Sequence, residues 1–457
     1  MASNLLKNLM SLTKDMIMQL PLCDIHVHLP GIVSPKIAWH LGIKNNFIEI
    51  NRKKNGRYIY SSGPRALSKL DPHQHYIDIF QSNLKLDIYG NPINLQYNIN
   101  KEGFKSFDKI MATIQGHRHP PGGIQTKEDI TLLLNFYLEE CIKQKIFYTE
   151  LQQNIKIAHL LFPINSKKNA RKKFFLLLKV AVNKFKKRGV HLRFLHCFNK
   201  TKVPGESKSS YEKSIEAAQW LEEAKKITPN IFVGIESAGH EKDESGWPVH
   251  LKAGYKKVNK LGLGCEAHGG EGIGVEHMFD VVKSLPITRL AHGFQAIEDS
   301  NIIKFIKQKN ITLVMMPIIN LNLGLCIHTK KVNNKQIPCA KTKGGGKIYI
   351  RKFWQHPFFK LFRDHKIKIT LSSDNPNIGG IPLKETVSII AGLNENYRYP
   401  NGFIPIKAEE LAILCQNGVA SIFSENKLKE KYRILLNHWI EKNNLNKNFI
   451  DNYYLKD

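Results

Sequence analysis

LGLGCEAHGGEGIG, residues 261–274, is the stretch from which the fold is read. Its apolar, Gly-rich first half (Leu261 to Ala267) predicts a strand that delivers His268-Gly269-Gly270-Glu271 to a turn. An imidazole and a carboxylate three positions apart suit a metal ligand and a proton carrier in one pocket. A His and a Glu beside a turn are also common surface residues, so the neighbouring pattern has to decide.

Working outward, the same strand-then-helix alternation repeats. Upstream, strands are predicted at Ile146–Gln152, Val190–Phe198 and Ile231–Glu236, separated by helical patterns at 126–144, 166–187, 210–226 and 248–260. The first of these helices begins with Thr-x-x-Asp, a capping-box signature. Downstream come a helix at 275–284, a strand at Thr288–His292, a helix at Asp299–Lys309 and a strand at Ile311–Met316. A helix at 356–365 and a strand at Ile367–Ser372 follow. Near the N-terminus, Cys23-Asp24-Ile25-His26-Val27-His28 alternates as a short strand, which puts His26 and His28 on one face. Eight strands separated by helices imply an α/β fold, a (β/α)8 TIM barrel with right-handed crossovers. Residues 40–110 read as loops and short helices, and helices at 382–393 and 407–445 are expected to pack outside the barrel or form a cap. No internal repeat or low-complexity linker divides the chain, so 1–457 is expected to form one domain. Its core spans about 20–425, with C-terminal helices over about 407–457.

Between the seventh and eighth strands lies a basic insertion, about 326–353, with eight Lys/Arg, no acidic residue and Gly344-Gly345-Gly346. Barrel sites are built from the loops after the strands, so this segment is expected as a basic surface loop over the mouth. The glycine run suits phosphate oxygens but lacks a following GK[ST]. Cys326, His328 and Cys339 make three candidate ligands for a second metal, or a disulfide, in the same segment.

The bulk composition bounds the function classes. A hydrophobic share of 42% supports a sizeable core and excludes a disordered chain. Seven scattered cysteines without CxxC spacing predict reduced thiols in a cytoplasmic setting. The N-terminal stretch lacks a Sec-type signal core, and no run reaches ~18 apolar residues for a membrane span. Specialised export signals would leave no readable mark. The net charge of +29 creates a field that attracts phosphates, nucleic acid, anionic membranes or acidic proteins. An AT-rich genome's Lys and Asn usage produces the same number, so charge alone names no anionic macromolecular partner.

The candidate chemistry falls at the carboxyl ends of strands one, five, six and eight: His26 and His28, His268 with Glu271, His292, and Asp374. In a barrel these ends share one mouth. Three neutral imidazoles and a carboxylate suit a zinc-like ion with room for water. Such an ion brings the water's pKa towards neutrality for attack on an electrophilic carbon.

In order along the chain, His26-Val27-His28-Leu29-Pro30-Gly31, Tyr148-Thr149-Glu150 and Gly234-Ile235-Glu236-Ser237-Ala238-Gly239 precede His268-Gly269-Gly270-Glu271. Arg289-Leu290-Ala291-His292-Gly293, Met316-Pro317-Ile318-Ile319-Asn320 and Ser373-Asp374-Asn375-Pro376 follow it. This set resembles the adenosine/AMP deaminase family of the metal-dependent amidohydrolases, over about residues 20 to 425. The resemblance implies one Zn2+ per chain, held by His26, His28, His268 and Asp374. It implies that Glu271, protonated, gives a proton to the purine ring nitrogen, and that His292 orients or deprotonates the water and stabilises the oxyanion. Asp374 joins the catalytic set, and Gly239 offers backbone contact to the purine. The implied reaction is hydrolytic loss of the 6-amino group of an adenine nucleoside or nucleotide, releasing ammonia.

Three positions depart from the family pattern. Asn375 stands where the family has a second Asp, and its amide donates a hydrogen bond without a tuned pKa. Pro30 replaces an acid that reaches the ribose 5′ end, which removes an acceptor and also a repulsion against phosphate. Gln152 stands where many relatives carry Arg. With the basic insertion, Pro30 points to a 5′-substituted substrate: AMP, an N6-substituted AMP or a larger adenylate. The alternatives are a deaminase of free adenosine in purine salvage, or a catalytically weakened barrel relative that binds nucleotides or nucleic acid. The H-x-E…P-C-x-x-C pattern of the base-flipping zinc deaminases is absent.

Overall fold

The computed structural model describes residues 6, 8–34, 37, 41, 44–45, 124–201, 206–241, 243–271, 275–332, 335–338, 346–377 and 381–455. Most of the 40–110 region, Cys339, Gly344 and Gly345 lie outside the described residues.

Eight parallel strands form the barrel. They are β1 (Leu22–His28), β2 (Ile146–Gln153), β3 (His191–Asn199), β4 (Phe232–Ala238), β5 (Gly264–Gly269), β6 (Arg289–His292), β7 (Thr312–Met315) and β11 (Ile369–Leu371), paired in that order. Almost every strand residue is buried, as expected where helices cover one side of a barrel and packed side chains fill the other. The circle closes through one bridge between Val27 and Asp374. There the His28 N–H donates to the Asp374 carbonyl at 2.8 Å, and the Asp374 N–H donates to the His26 carbonyl at 2.9 Å. Barrel closure and the spacing of three candidate site residues are therefore one constraint.

The covering helices begin where the sequence places caps. After α1 (Lys14–Gln19), α2 (Lys127–Lys143) starts with the expected box: Thr126 N–H to Asp129 Oδ2 at 2.9 Å and Asp129 N–H to Thr126 Oγ1 at 3.3 Å. Next, α3 (Lys167–Lys187) buries Phe174, Phe175, Leu178, Val182 and Phe185, each worth about 1.5–3 kcal/mol. All its lysines face solvent, and it has no acidic residue. The series continues with α4 (Ser210–Ile227), α5 (Pro248–Lys260), α6 (Val275–Ser284) and α7 (Ser300–Gln308). Among the described residues no helix is long and apolar enough to cross a membrane.

Four boundaries differ from the sequence reading. The strand expected at Leu261–Ala267 runs Gly264–Gly269, because Leu261 caps α5 and Gly262, at φ +70°, turns the chain out of it. A short helix, α8 (Pro317–Asn322), follows β7 directly. The helix expected at 356–365 is α9 (Phe358–Arg363), preceded by a 3-10 turn at Phe353–Gln355. The helix expected over 407–445 divides into α11 (Ala408–Ser421) and α12 (Asn426–Lys442), after α10 (Leu383–Ile390) and before α13 (Lys447–Asp451). The break brings Phe423 beneath the barrel, where the Arg289 guanidinium lies 3.7 Å from its ring centroid. The C-terminal helices thus cover the strands' N-terminal ends, with Trp439 Nε1 donating to the Met16 carbonyl at 2.9 Å.

The insertion is a correction of kind. It is an antiparallel three-stranded sheet, β10-β8-β9, with β8 at Cys326–Val332, β9 at Lys335–Pro338 and β10 at Gly346–Tyr349. Lysines interspersed with Ile327, Thr329, Val332, Ile337 and Ile348 hide the β pattern from a reading dominated by charge. The sheet is anchored to the turn after β6, on the mouth side: the His328 N–H donates to Glu298 Oε1 at 2.7 Å. The Glu298 carboxylate also lies 3.1 Å from His328 Nδ1.

Candidate metal centre and proton-transfer site

β1 sets His26 and His28 two positions apart on one face, and β5 brings His268 against them. The ring centroids lie 5.1 Å (His26–His28), 4.9 Å (His26–His268) and 5.5 Å (His28–His268) apart. One ligand atom from each falls within 4.8 Å of the others. Asp374, fixed by the closing bridge, puts Oδ1 3.4 Å from His28 Nε2 and 3.9 Å from His26 Nε2.

The outward faces of two rings are held by carboxylates: Nδ1 of His26 by Glu266 and Nδ1 of His268 by Glu236. That pairing turns each Nε2 inward, the arrangement that orients histidine ligands. His26 Nε2 is fully buried and has no hydrogen-bond partner among the described residues. A buried orphan nitrogen facing two imidazoles and a carboxylate fits a divalent ion of the zinc type. Burial holds His26 and His28 well below the usual histidine range, so both rings are neutral, the ligating form. His268 stands at about 9: burial opposes its charge, but the Glu236 carboxylate outweighs burial.

Glu271 follows β5 after Gly270, whose φ of +75° makes the turn. Its backbone N–H points at the Glu241 carboxylate, at 3.2 and 3.3 Å. Its Oε2 lies 3.5 Å from His292 Nε2. Burial pushes the Glu271 carboxyl up to about 7; His268 opposes the rise and Glu241 adds to it. His292 and Asp374 both adopt left-handed backbone, at φ +63° and +61°, a conformation that costs a non-glycine residue energy and concentrates at functional sites.

The structure therefore brings His26, His28, His268, Glu271, His292 and Asp374 into one cluster, buried but for the half-buried Glu271. Asn375 lies beside it, with Nδ2 donating to Asp374 Oδ1 at 2.6 Å and Oδ1 without a hydrogen-bond partner among the described residues. Pro30 sits buried in a 3-10 turn directly after β1. The next residue, Gly31, is so close to Asn375 that a Cβ would meet its Oδ1 at 2.4 Å. Two of the three departures are thus neighbours. Gln152, the third, places Nε2 2.7 Å from His26 Nδ1, on the outer side of the metal centre. Gly239, just past β4 at φ +115°, approaches Asn199 so closely that a Cβ would lie 2.4 Å from Asn199 Oδ1.

Sequence reasoning gave no role to Glu266, Glu241, Lys200, Asn320 or His356. Glu266 carried a signal, an acid in an apolar strand two positions before a ligand histidine. Lys200, buried at the end of β3 with Nζ 3.4 Å from the His268 carbonyl, carried none.

Fold and site together define the class: a (β/α)8 barrel whose strand ends converge on a three-histidine, one-aspartate metal-type cluster with the Glu271 carboxyl beside it. The family model described as adenosine deaminase matches residues 98–337, more than half of the 457 residues, and the chain belongs to that family. It is 29% identical over 203 residues to an adenosine deaminase of Shewanella loihica (44% of this chain, 50% of that one). It is 27% identical over 198 residues to an adenine deaminase of Marinomonas sp. (43% and 48%). The chain spans about half the length of these curated relatives. Among solved structures, a zinc-bound amidohydrolase from Burkholderia ambifaria superposes with a TM-score of 0.63 at 14% identity, covering 98% of this chain and 96% of that one. Arabidopsis ADAL complexed with GMP gives 0.59 at 15% identity, covering 93% and 98%. At such identities these two likenesses concern the fold.

Proposed function

We propose that the chain hydrolytically removes the 6-amino group of an adenine nucleoside or nucleotide, yielding a 6-oxo purine and ammonia. The observation that carries this reading is Glu271: a half-buried carboxyl whose pKa is pushed up to about 7, 3.5 Å from His292 and next to the histidine–aspartate cluster. One zinc ion, held by His26, His28, His268 and Asp374, supplies Lewis acidity and an acidified water. The chain's own groups do the rest. Glu271 donates its proton to the ring nitrogen beside the attacked carbon, so that carbon becomes electrophilic as water adds. His292 faces the incoming oxygen and meets the charge that develops there. The Asn375 amide and the Gly239 backbone, at opposite sides of the mouth, orient the purine.

The favoured substrate is 5′-substituted: AMP, an N6-substituted AMP or a larger adenylate. Pro30 offers neither acceptor nor negative charge, and the lysine-bearing β8–β10 sheet is anchored on the mouth side. The +29 field and the exposed lysines of α3 favour anionic ligands in general. The Arabidopsis relative was crystallised with a nucleoside monophosphate. Free adenosine, or adenine itself, is the second reading, since relatives carry both names. A cytoplasmic setting accords with the thiols of Cys23, Cys141, Cys197, Cys265 and Cys415, which form no disulfide.

Release of ammonia from adenine, adenosine and AMP, and of methylamine from N6-methyl-AMP, by zinc-loaded protein separates these readings. Higher kcat/KM for adenosine than for AMP, persisting after Lys→Ala changes in 326–353, overturns the 5′-substituted assignment. No amine released from any of the four overturns the deaminase reading.

A further inference from the structure

His292 is joined to a chain of three hydrogen bonds whose polarity is set at its far end. The Phe358 N–H, a backbone group that can only donate, donates to His356 Nδ1 at 3.1 Å. His356 Nδ1 therefore carries a lone pair and no proton. Burial holds the ring down to about 3, so it is neutral and its one proton sits on Nε2. That Nε2 lies 3.3 Å from the Asn320 side-chain oxygen, which accepts. The opposite amide orientation would set an NH2 against an N–H, donor against donor, inside the core. With its oxygen so fixed, Asn320 turns Nδ2 to His292 Nδ1 at 3.0 Å and donates there. His292 Nδ1 must then be the acceptor. A ring whose Nδ1 accepts keeps its one proton on Nε2. Nε2 is the atom turned towards Glu271, and it has no hydrogen-bond partner among the described residues.

We propose that Asn320 and His356 are positioning residues which lock His292 as the neutral Nε2–H tautomer, making it a hydrogen-bond donor to the reacting centre and not its base. The sequence reading left those two roles open for His292. All three side chains are buried, at 0%, 2% and 0% exposure for Asn320, His356 and His292, so water cannot substitute along the chain. The direction originates in local backbone geometry. Pro357 caps α9, and the His356 ring folds back to take the N–H of Phe358, one of the N–H groups that the start of a helix leaves without a carbonyl. A donor fixed in this way strengthens as an oxygen in front of it gains negative charge, and it needs no reorganisation to do so. The inference rests on the proposed reaction for its consequence, but not for the tautomer itself.

Nitrogen-15 spectra of histidine-labelled, zinc-loaded protein read the tautomer directly, with the His292 signals assigned by their loss in His292→Asn. The expected result is an unprotonated Nδ1 and a protonated Nε2. Asn320→Asp reverses the polarity: a carboxylate accepts from both neighbours, so His292 should flip to Nδ1–H. Its kcat should fall about 10²–10³-fold, the loss typical of one oxyanion donor, with KM nearly constant. His356→Ala cuts the chain upstream and should give a mixture of tautomers. Melting curves identify any variant that has not folded, and the wild-type spectrum remains decisive without them. A protonated Nδ1 in the wild type, or an unchanged tautomer in folded Asn320→Asp, overturns the proposal. The predicted spectra from a protein that releases no ammonia would leave the tautomer standing and remove the reaction.

Discussion

One oxygen of the Glu266 carboxylate meets Nδ1 of His26, across 240 positions of sequence. Its other oxygen lies 2.5 Å from Arg289 Nη2, while Arg289 Nη1 lies 2.6 Å from Glu150. All of these groups are buried, so the guanidinium is what makes a charged Glu266 tolerable beneath a ligand. Glu266→Gln keeps an acceptor for the His26 ring and removes the charge that raises its basicity. It should weaken zinc affinity about 10- to 100-fold, as loss of such carboxylates typically does, measured by chelator competition. Glu150→Gln is the control. It touches the same arginine, Tyr148 OH at 2.7 Å and the Phe423 N–H at 2.8 Å, but no ligand. It should lower the melting temperature and leave affinity within a few-fold. Equal affinity losses in both variants would mean that the network only holds the fold.

Glu271 makes the pH dependence directional. Its working form is the protonated one, and burial raises its pKa from 4.5 to about 7. The acid is present below about pH 7 and is lost as pH rises through that value. The kcat/KM profile should therefore carry a falling limb near 7, on the alkaline side. Glu271→Gln cannot release a proton and should cost about 10²–10⁴-fold in rate, with the limb abolished. A residual limb at the same pH in the Gln variant would assign it to another group.

The clustering of these side chains was legible because each sits at the end of a predicted strand, and strand ends in a barrel share one mouth whatever their separation in sequence. His26, His28, His268, Glu271, His292 and Asp374 all follow from that rule. The groups behind them did not. Glu266, Asn320 and His356 act through side-chain contacts across 240, 28 and 36 positions, and periodicity carries no record of such pairs. The insertion failed for a different reason. Its lysines suggested a solvated loop, while the alternating Ile, Thr and Val that make it a sheet contributed less to the reading than the charge did. The break at 422–425 was hidden because Ile422 and Phe423 continue the apolar pattern of α11 even though the helix has ended.

Glu298 ties that sheet to the barrel and should make stability pH-dependent. Burial raises its pKa from 4.5 to about 8; the His328 N–H opposes the rise and Glu276 adds to it. Below about 4.5 the carboxyl is protonated in folded and unfolded chains alike, and its full contribution is present. Between 4.5 and 8 the folded chain binds more protons, so stability falls as pH rises, by at most about 1.4 kcal/mol per unit. Above 8 the contribution is lost. Melting temperature should decline from pH 6 to 8.5, and Glu298→Gln should flatten that decline. Limited proteolysis within 326–353 should accelerate over the same range in the wild type. A wild-type melting temperature that is flat or rising would remove Glu298 as the controlling group.

Pro30 is where substrate choice should be most open to change. It occupies the turn directly after the first two ligand histidines, and its neighbour Gly31 packs against Asn375, so the position abuts the purine side of the mouth without touching the metal set. Pro30→Asp adds an acceptor for a 5′-hydroxyl and a negative charge against a 5′-phosphate. Two charges about 4 Å apart repel by about 4 kcal/mol near a surface, and only part of that survives solvent and salt. The variant should therefore shift the AMP-to-adenosine ratio of kcat/KM towards adenosine by at least about tenfold, mainly through KM, since no group of the proton-transfer set moves. Added salt should shrink the shift for AMP and leave adenosine unaffected, which separates charge repulsion from a distorted turn. A loss of kcat on both substrates, with the ratio unchanged, would mean that the proline serves the turn after β1 and not the substrate's 5′ end.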